Sequence, residues 1–143
     1  MYDTILVPLD GSESAKAIVP HVQAMATGHE AEVILLEVLP ATGVVANVAA
    51  KQRQDAENDL MAVEEQLLNA GVKARHTVTH GADAAAETAD FAEVTDVDSI
   101  AMSTHGCSGV GRWLFGSVAS KLLRGTSKPI LLIRSPGALI SDG

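Results

Sequence analysis

The chain alternates between short apolar runs and longer amphipathic stretches. The apolar runs predict strands buried on both faces, as in the centre of a parallel sheet. These predicted strands are residues 4–8, 33–38, 98–102 and 130–133. The second run contains one charged residue, Glu37. Residues 72–79 instead alternate between apolar and polar positions, which predicts a strand with one solvated face at a sheet edge.

Helical spacing of apolar residues separates these strands and predicts four helices. The first follows the turn at residues 10–14 and ends at Gly28, with a kink expected at Pro20. The others are residues 51–69, a helix capped by Asp83, and a helix from about Ser117 to Arg124. Residues 39–50 are compatible with a loop or with the start of a helix.

Five strands that alternate with four helices predict an α/β fold with a doubly wound parallel sheet. A length of 143 residues suits one domain, residues 1–143. Aromatic residues make up only 3% of the chain, so the core must consist of aliphatic side chains and alanine. This composition also favours a buried parallel sheet.

Charge and cysteine content narrow the possible partners and compartment. The net charge is −8 and the ten basic residues form no run, which argues against binding to nucleic acid. No apolar stretch approaches the roughly 18 residues of a membrane span, and no signal peptide is recognisable. With Cys107 as the single cysteine, no intrachain disulfide is possible. We therefore expect a cytoplasmic protein.

A glycine-rich stretch, residues 103–117, lies between a predicted strand and a predicted helix. Glycines allow close approach of the backbone, and the N–H groups at a helix start attract phosphate. The stretch is not a Walker A loop, because Arg112-Trp113 stands where Lys and Ser/Thr are required. It is also a poor dinucleotide fingerprint, since Leu114 occupies the third glycine position. The context nevertheless predicts an anion site.

The spacing within this stretch resembles that of the universal stress protein family. Gly106 is followed after nine residues by Gly116-Ser117, and nucleotide-binding members of the family read Gly-x2-Gly-x9-Gly-Ser/Thr. The resemblance extends from Ile5 to about Arg134 and includes residues 7–12 and 128–133. One position differs, because Ser103 replaces the first glycine of the motif.

The resemblance implies a strand order of 3-2-1-4-5, as in adenine nucleotide alpha-hydrolase-like folds. Ligands of such sheets bind in a crevice at the carboxyl ends of the strands. Matched to the family motif, the residues at the nucleotide are Pro8, Leu9, Asp10, Val38, Met102, Ser103, Gly106, Gly116, Ser117, Val118 and Ala119. From the residues alone, Asp10 and Ser117 suit capping of their helices equally well.

Two functions follow from the resemblance. The first is a regulatory stress-response protein that binds ATP or AMP, with Mg²⁺ or Mn²⁺ carried on the phosphates and with slow or absent catalysis. The second, favoured by Ser103, is a dimeric module of the same fold that does not bind nucleotide. An enzyme of the ATP-pyrophosphatase type is disfavoured by the sequence after strand 1, and a phosphorelay receiver by the missing aspartate after strand 3.

The last predicted strand also indicates self-association. Ile130–Ile133 lacks polar alternation although it would form a sheet edge, and such an edge favours pairing with a second chain. A homodimer through this strand is therefore expected, as in many family members. The five histidines suggest isolated surface side chains, since His76 and His80 lie about 13 Å apart along a strand.

Overall fold

The computed structural model describes residues 3–40, 45–103 and 117–134, with Ser117 described by its backbone alone. Helices and strands alternate through this part of the chain. In order they are β1 Thr4–Pro8, α1 Glu13–Lys16, α2 Val19–Thr27, β2 Glu32–Leu39, α3 Ala46–Asn69, β3 Lys73–His80, α4 Ala84–Thr95, β4 Ser99–Ser103, α5 Ser117–Gly125 and β5 Ile130–Ile133.

The five strands form one parallel sheet in the order β3-β2-β1-β4-β5. β1 lies in the middle, where Ile5 pairs with Val33 of β2 and with Ser99 of β4. The order that the family resemblance implied is confirmed. Between β1 and β4 the sheet has its topological switch point, so the carboxyl ends of these two strands border the crevice.

Both faces of the central strands are buried, which explains why their sequences are continuously apolar. Ile5 and Val7 pack with α2 and α3 on one face, while Leu6 packs with α4 and α5 on the other. The α3 side of the core includes Leu60, and the α5 side includes Leu122, and both residues are fully buried. Burial of such aliphatic side chains is the main source of stability.

The two edge strands differ in polarity. β3 lies at a sheet edge, as the sequence predicted, and among its residues Val78 alone is buried. β5 forms the opposite edge, and in it Leu131 is 37% exposed while its neighbours are half-buried. An apolar strand therefore lies at the open side of the sheet.

The first predicted helix is broken rather than kinked. Ser12 caps α1 by accepting a hydrogen bond from the Ala15 amide, and α1 ends at Lys16. A new helix, α2, then begins at Val19 with Pro20 in its first turn. Proline is tolerated there because the amides of a first helical turn lack helical partners anyway. Pro20 thus marks the start of a second segment.

α3 begins five residues before the predicted position. Residues 46–50, which the sequence left open as a loop or the start of a helix, are therefore helical. β2 extends to Leu39, Val45 is the N-cap without a side-chain hydrogen bond, and residues 41–44 lie outside the described part. None of residues 46–55 is buried, whereas Ala56 begins the buried stripe of the helix. At the helical rise, this exposed part is about 15 Å long.

The remaining boundaries agree closely with the sequence. Asp83 caps α4 by accepting hydrogen bonds from the Ala85 and Ala86 amides, as predicted. Asp96 ends α4 in the left-handed conformation, with φ 55°. Among the described helices, none combines the length and apolarity needed to cross a bilayer.

Candidate functional site

The carboxyl ends of three adjacent strands and the start of one helix bring most of the predicted site residues to one edge of the sheet. Pro8 ends β1, Val38 is near the end of β2, and Ser103 ends β4. α5 begins at Ser117, so its first amides have no partner within the helix. Gly106 and Gly116 lie outside the described residues, as does the side chain of Ser117.

The described side chains divide between the two faces of the sheet. Val38, Met102, Val118 and Ala119 all belong to the cluster on the α4 and α5 face. Leu9 belongs to the opposite cluster, so its side chain packs away from these four residues. Its amide donates to the Leu36 carbonyl at 2.8 Å, which ties the start of the following turn to β2.

The turn after β1 is held by Asp10. Asp10 is exposed, and its Oδ1 accepts hydrogen bonds from the Ser12 amide at 2.9 Å and from the Ser12 hydroxyl at 2.6 Å. Gly11 has φ +87°, a conformation that side chains rarely adopt. The helix cap is Ser12, whereas Asp10 orients the turn that carries this cap.

Ser103, the position at which the motif has glycine, is buried with 6% exposure. It ends β4 and pairs with Ile133 of β5. The neighbouring Met102 is also buried and joins the apolar cluster below the crevice. The serine hydroxyl is therefore at the base of the predicted loop, where β4 reaches the sheet edge.

A buried carboxylate that sequence reasoning did not assign to the site lies beside this turn. Glu37 is only 8% exposed, and an added Cβ at Gly11 would be 3.8 Å from its Oε2. Its Oε1 is buried without a hydrogen-bond partner. The signal in the sequence was the single charged residue in the apolar run of β2, so Asp10 is not the only carboxylate at this end of the sheet.

Charged groups from α1 and α3 surround Glu37. Lys16 Nζ contacts Asp59 Oδ1 at 2.6 Å, and this hydrogen bond raises the pKa of Lys16. Burial raises the pKa of Glu37 to about 7, and repulsion from Asp59 and Asp10 adds to the effect while Lys16 opposes it. Asp59 Oδ2 is also buried without a partner. The cluster is therefore short of positive charge when Glu37 is ionised.

A second ionisable cluster joins α3 to β3. His76 Nε2 lies 2.8 Å from Glu57 Oε1, and its Nδ1 lies 2.5 Å from Glu64 Oε1. Burial lowers the pKa of His76, but the hydrogen bonds to Glu64 and Glu57 outweigh burial and raise it overall. His76 is thus not an isolated surface histidine. Within the described ranges, no three His, Cys, Asp or Glu side chains are arranged to hold a metal ion.

Comparison with known proteins decides the family. The sequence profile of the universal stress protein family matches residues 1–134. The chain belongs to the universal stress protein family. Universal stress protein MJ0531 of Methanocaldococcus jannaschii is 29% identical, over 95% of this chain and 84% of the relative.

Solved universal stress proteins share the fold. The structure of MJ0577, also from Methanocaldococcus jannaschii, superposes with a TM-score of 0.84 at 29% identity, covering 94% of this chain and 96% of that one. A universal stress protein of Archaeoglobus fulgidus, solved in complex with dAMP, gives a TM-score of 0.74 at 20% identity. The alignment with the latter covers 92% of this chain and 98% of the relative. The five-stranded parallel fold predicted from the sequence is confirmed.

Proposed function

We propose that this universal stress protein is a regulatory protein that binds an adenine nucleotide, ATP or AMP, in the crevice at the carboxyl ends of β1 and β4. The observation that carries the proposal is the convergence of the Asp10 turn, Val38, Met102 and the start of α5 at one sheet edge. The A. fulgidus relative that was solved with dAMP supports the choice of an adenine nucleotide.

The described residues suit the two chemically different parts of a nucleotide. Half-buried Val38 and buried Met102 offer apolar surface to a base, while exposed Asp10 can accept hydrogen bonds from ribose hydroxyls. The first amides of α5, which have no partner within the helix, suit phosphate, which the helix dipole also attracts. Mg²⁺ or Mn²⁺ would be carried on the phosphates. We expect slow hydrolysis or none.

The decisive experiment is to denature freshly purified protein and identify any released nucleotide by mass spectrometry. Released ATP or AMP supports the proposal, and calorimetry with Mg-ATP then gives the affinity. An empty protein that also shows no heat with Mg-ATP contradicts it. That result favours the second function, a stress-response module without nucleotide, for which Ser103 at the motif's glycine position is the motivating observation.

A pair of matched variants assigns binding to the predicted loop. Gly116→Asp places a carboxylate where the motif brings phosphate to the helix start, so we expect binding to be lost with the fold intact. Gly28→Asp is the control, because nothing lies within 4 Å of a Cβ added at Gly28. Unchanged affinity in Gly116→Asp would remove the loop from the site. Circular dichroism checks the fold of both variants.

We also propose that the protein acts in the cytoplasm as a homodimer through β5. The edge position of this strand and the 37% exposure of Leu131 support pairing with a second copy. We expect Leu131→Glu to shift the mass measured by light scattering from dimer to monomer. Leu123→Glu on α5 is the control, since Leu123 is 46% exposed but lies outside the strand. A monomeric wild type would contradict the proposal.

A further inference from the structure

The carboxyl group of Glu37 is buried but incompletely satisfied. The residue lies one position before Val38 on β2, and its side chain is directed into the side of the sheet that α1 and α3 cover. Its exposure is 8%, and Oε1 has no hydrogen-bond partner. A charged carboxylate in this environment costs much more free energy than a protonated carboxyl group.

The surrounding charges favour a proton on Glu37. The groups that face it are Asp10 after β1, Lys16 on α1 and Asp59 on α3. Lys16 is already engaged, because its Nζ contacts Asp59 Oδ1 at 2.6 Å and exposed Glu13 at 3.6 Å. With Glu37 ionised, Asp10, Asp59 and Glu37 carry three negative charges against the one positive charge of Lys16, an excess of two. One proton on Glu37 halves this excess of negative charge.

The same carboxyl group lies against the turn that borders the proposed nucleotide site. A Cβ added at Gly11 would lie 3.8 Å from Glu37 Oε2, and Gly11 stands between Asp10 and Ser12, which are hydrogen-bonded to each other. The Leu9 amide donates a hydrogen bond to the carbonyl of Leu36, and Leu36 directly precedes Glu37 in β2. A change of charge on Glu37 therefore acts directly on this turn.

We propose that Glu37 is a proton switch that sets the conformation of the Asp10–Ser12 turn and, through it, the affinity of the crevice for an anionic nucleotide. Glu37 acts here as a positioning residue. The effect on nucleotide affinity rests on the proposed function, whereas the effect on the conformation of the turn does not.

Linkage fixes the direction of the effect. The pKa of Glu37 is raised to about 7, so the proton is exchanged near neutral pH. A nucleotide adds negative charge at the same sheet edge and therefore favours the protonated form. By reciprocity, protonation favours nucleotide binding. Affinity should rise as the pH falls, by less than tenfold per pH unit for one proton.

The binding test compares three proteins between pH 6 and pH 8.5 with AMP as the titrant. The phosphate of AMP itself titrates near pH 6, so the informative quantity is the difference in slope between variants. We expect the wild type to lose about fivefold more affinity over this range than Glu37→Gln, which stays neutral. The control is Glu32→Gln, at the other end of β2 and paired with Arg75, and it should follow the wild type. A Glu37→Gln variant with the wild-type slope would overturn the coupling.

The switch is also tested without ligand, by carbon-13 NMR of the side-chain carboxyl groups and nitrogen-15 NMR of the amides. We expect Glu37 to titrate near pH 7 and the Gly11 and Ser12 amide shifts to follow the same midpoint. The proposal would be overturned if Glu37 titrates between pH 4 and 5, or if the Gly11 and Ser12 amide shifts do not change at the midpoint of the Glu37 titration. This test uses the wild type, so it holds even if Glu37→Gln fails to fold. If neither AMP nor Mg-ATP binds at any pH while these shifts coincide, the proposed function fails but the proton switch stands.

Discussion

Two ionisable clusters connect α3 to the sheet. Protonation neutralises the central residue of one cluster, Glu37, and gives a positive charge to the central residue of the other, His76. At Glu37 a proton removes charge from a group that faces Asp59 and Asp10. At His76 a proton adds charge between Glu57 and Glu64. In both clusters the protonated form is favoured, so the pKa of each residue is raised. Burial is the main cause of the raised pKa at Glu37, where the carboxylates add to it, whereas at His76 burial lowers the pKa and the carboxylates outweigh it.

Both clusters should therefore contribute less to the stability of the fold as the pH rises. A group whose pKa is higher in the folded protein than in the unfolded chain contributes stability below the unfolded value. This contribution is lost as the pH passes the folded value. For Glu37 the window runs from about 4.5 to about 7, and for His76 it begins near 6.5.

The largest expected effect on the free energy of unfolding is that of Glu37→Gln, and it should distinguish the Glu37 cluster from the His76 cluster. Glu37→Gln removes the cost of a buried charge, so it should raise the free energy of unfolding at pH 9 by about 2–3 kcal/mol. At pH 4 the wild-type side chain is protonated as well, and the difference should nearly vanish. Urea unfolding at pH 4, 7 and 9 measures both values. A gain that is independent of pH would mean that packing, not charge, is responsible.

Lys16→Met sharpens the comparison by removing the cation from the Glu37 cluster. Both members of the Lys16–Asp59 pair have side chains that are 25% exposed, so the pair is only partly shielded from solvent. We expect a loss of about 1–2 kcal/mol at pH 8 and a smaller loss at pH 5, where Glu37 is protonated. The carboxyl titration of Glu37 should also move to higher pH. A titration shifted downwards would contradict the charge arrangement.

His76→Gln addresses the other cluster. The substitution removes the charge-assisted contacts of His76 to Glu57 and Glu64, so the free energy of unfolding at pH 6 should fall by about 1 kcal/mol. The loss should shrink between pH 6 and pH 9, because the wild-type histidine loses its proton as the pH rises. Thermal unfolding at both values tests this dependence. An effect that grows with pH would show that His76 stabilises the fold in its neutral form.

The smallest expected effect comes from an exposed ion pair on the same sheet. Arg75 Nε lies 2.9 Å from Glu32 Oε2, and the two side chains are about half and one third exposed. Glu32→Gln should therefore cost no more than about 0.5 kcal/mol, and added salt should reduce this value further. A larger cost, measured by urea unfolding, would show that burial is not what distinguishes the two clusters from surface pairs.

Local sequence patterns predicted the elements well because the burial of each strand determines which of its residues are apolar. The bounds of β1 and β5 agree with their apolar runs, and the alternation in β3 marked an edge. The break before Val19 was missed, and the start of α3 was left open between a loop and a helix. In the first case a proline suited two interpretations, and in the second Val45 supplies no side-chain cap to recognise.

The site was harder to predict than the fold. Pro8, Asp10, Val38 and Ser103 could be placed at one edge because parallel strands end together. Glu37 drew attention only as a charged residue in an apolar strand, since its neighbours Lys16 and Asp59 come from two other elements. The partners of His76 are likewise 12 and 19 residues away in sequence, on a different element. Contacts of this kind depend on tertiary packing, which no local pattern records.

The exposed first ten residues of α3 have a consequence for local unfolding. Their backbone is hydrogen-bonded as a helix, but none of their side chains is buried in the core. Unwinding this part therefore sacrifices little hydrophobic contact, and its amide protons should exchange with deuterium far sooner than those after Ala56. The same turns are the place where a protease could cut, or a peptide tag be inserted, without dismantling the sheet.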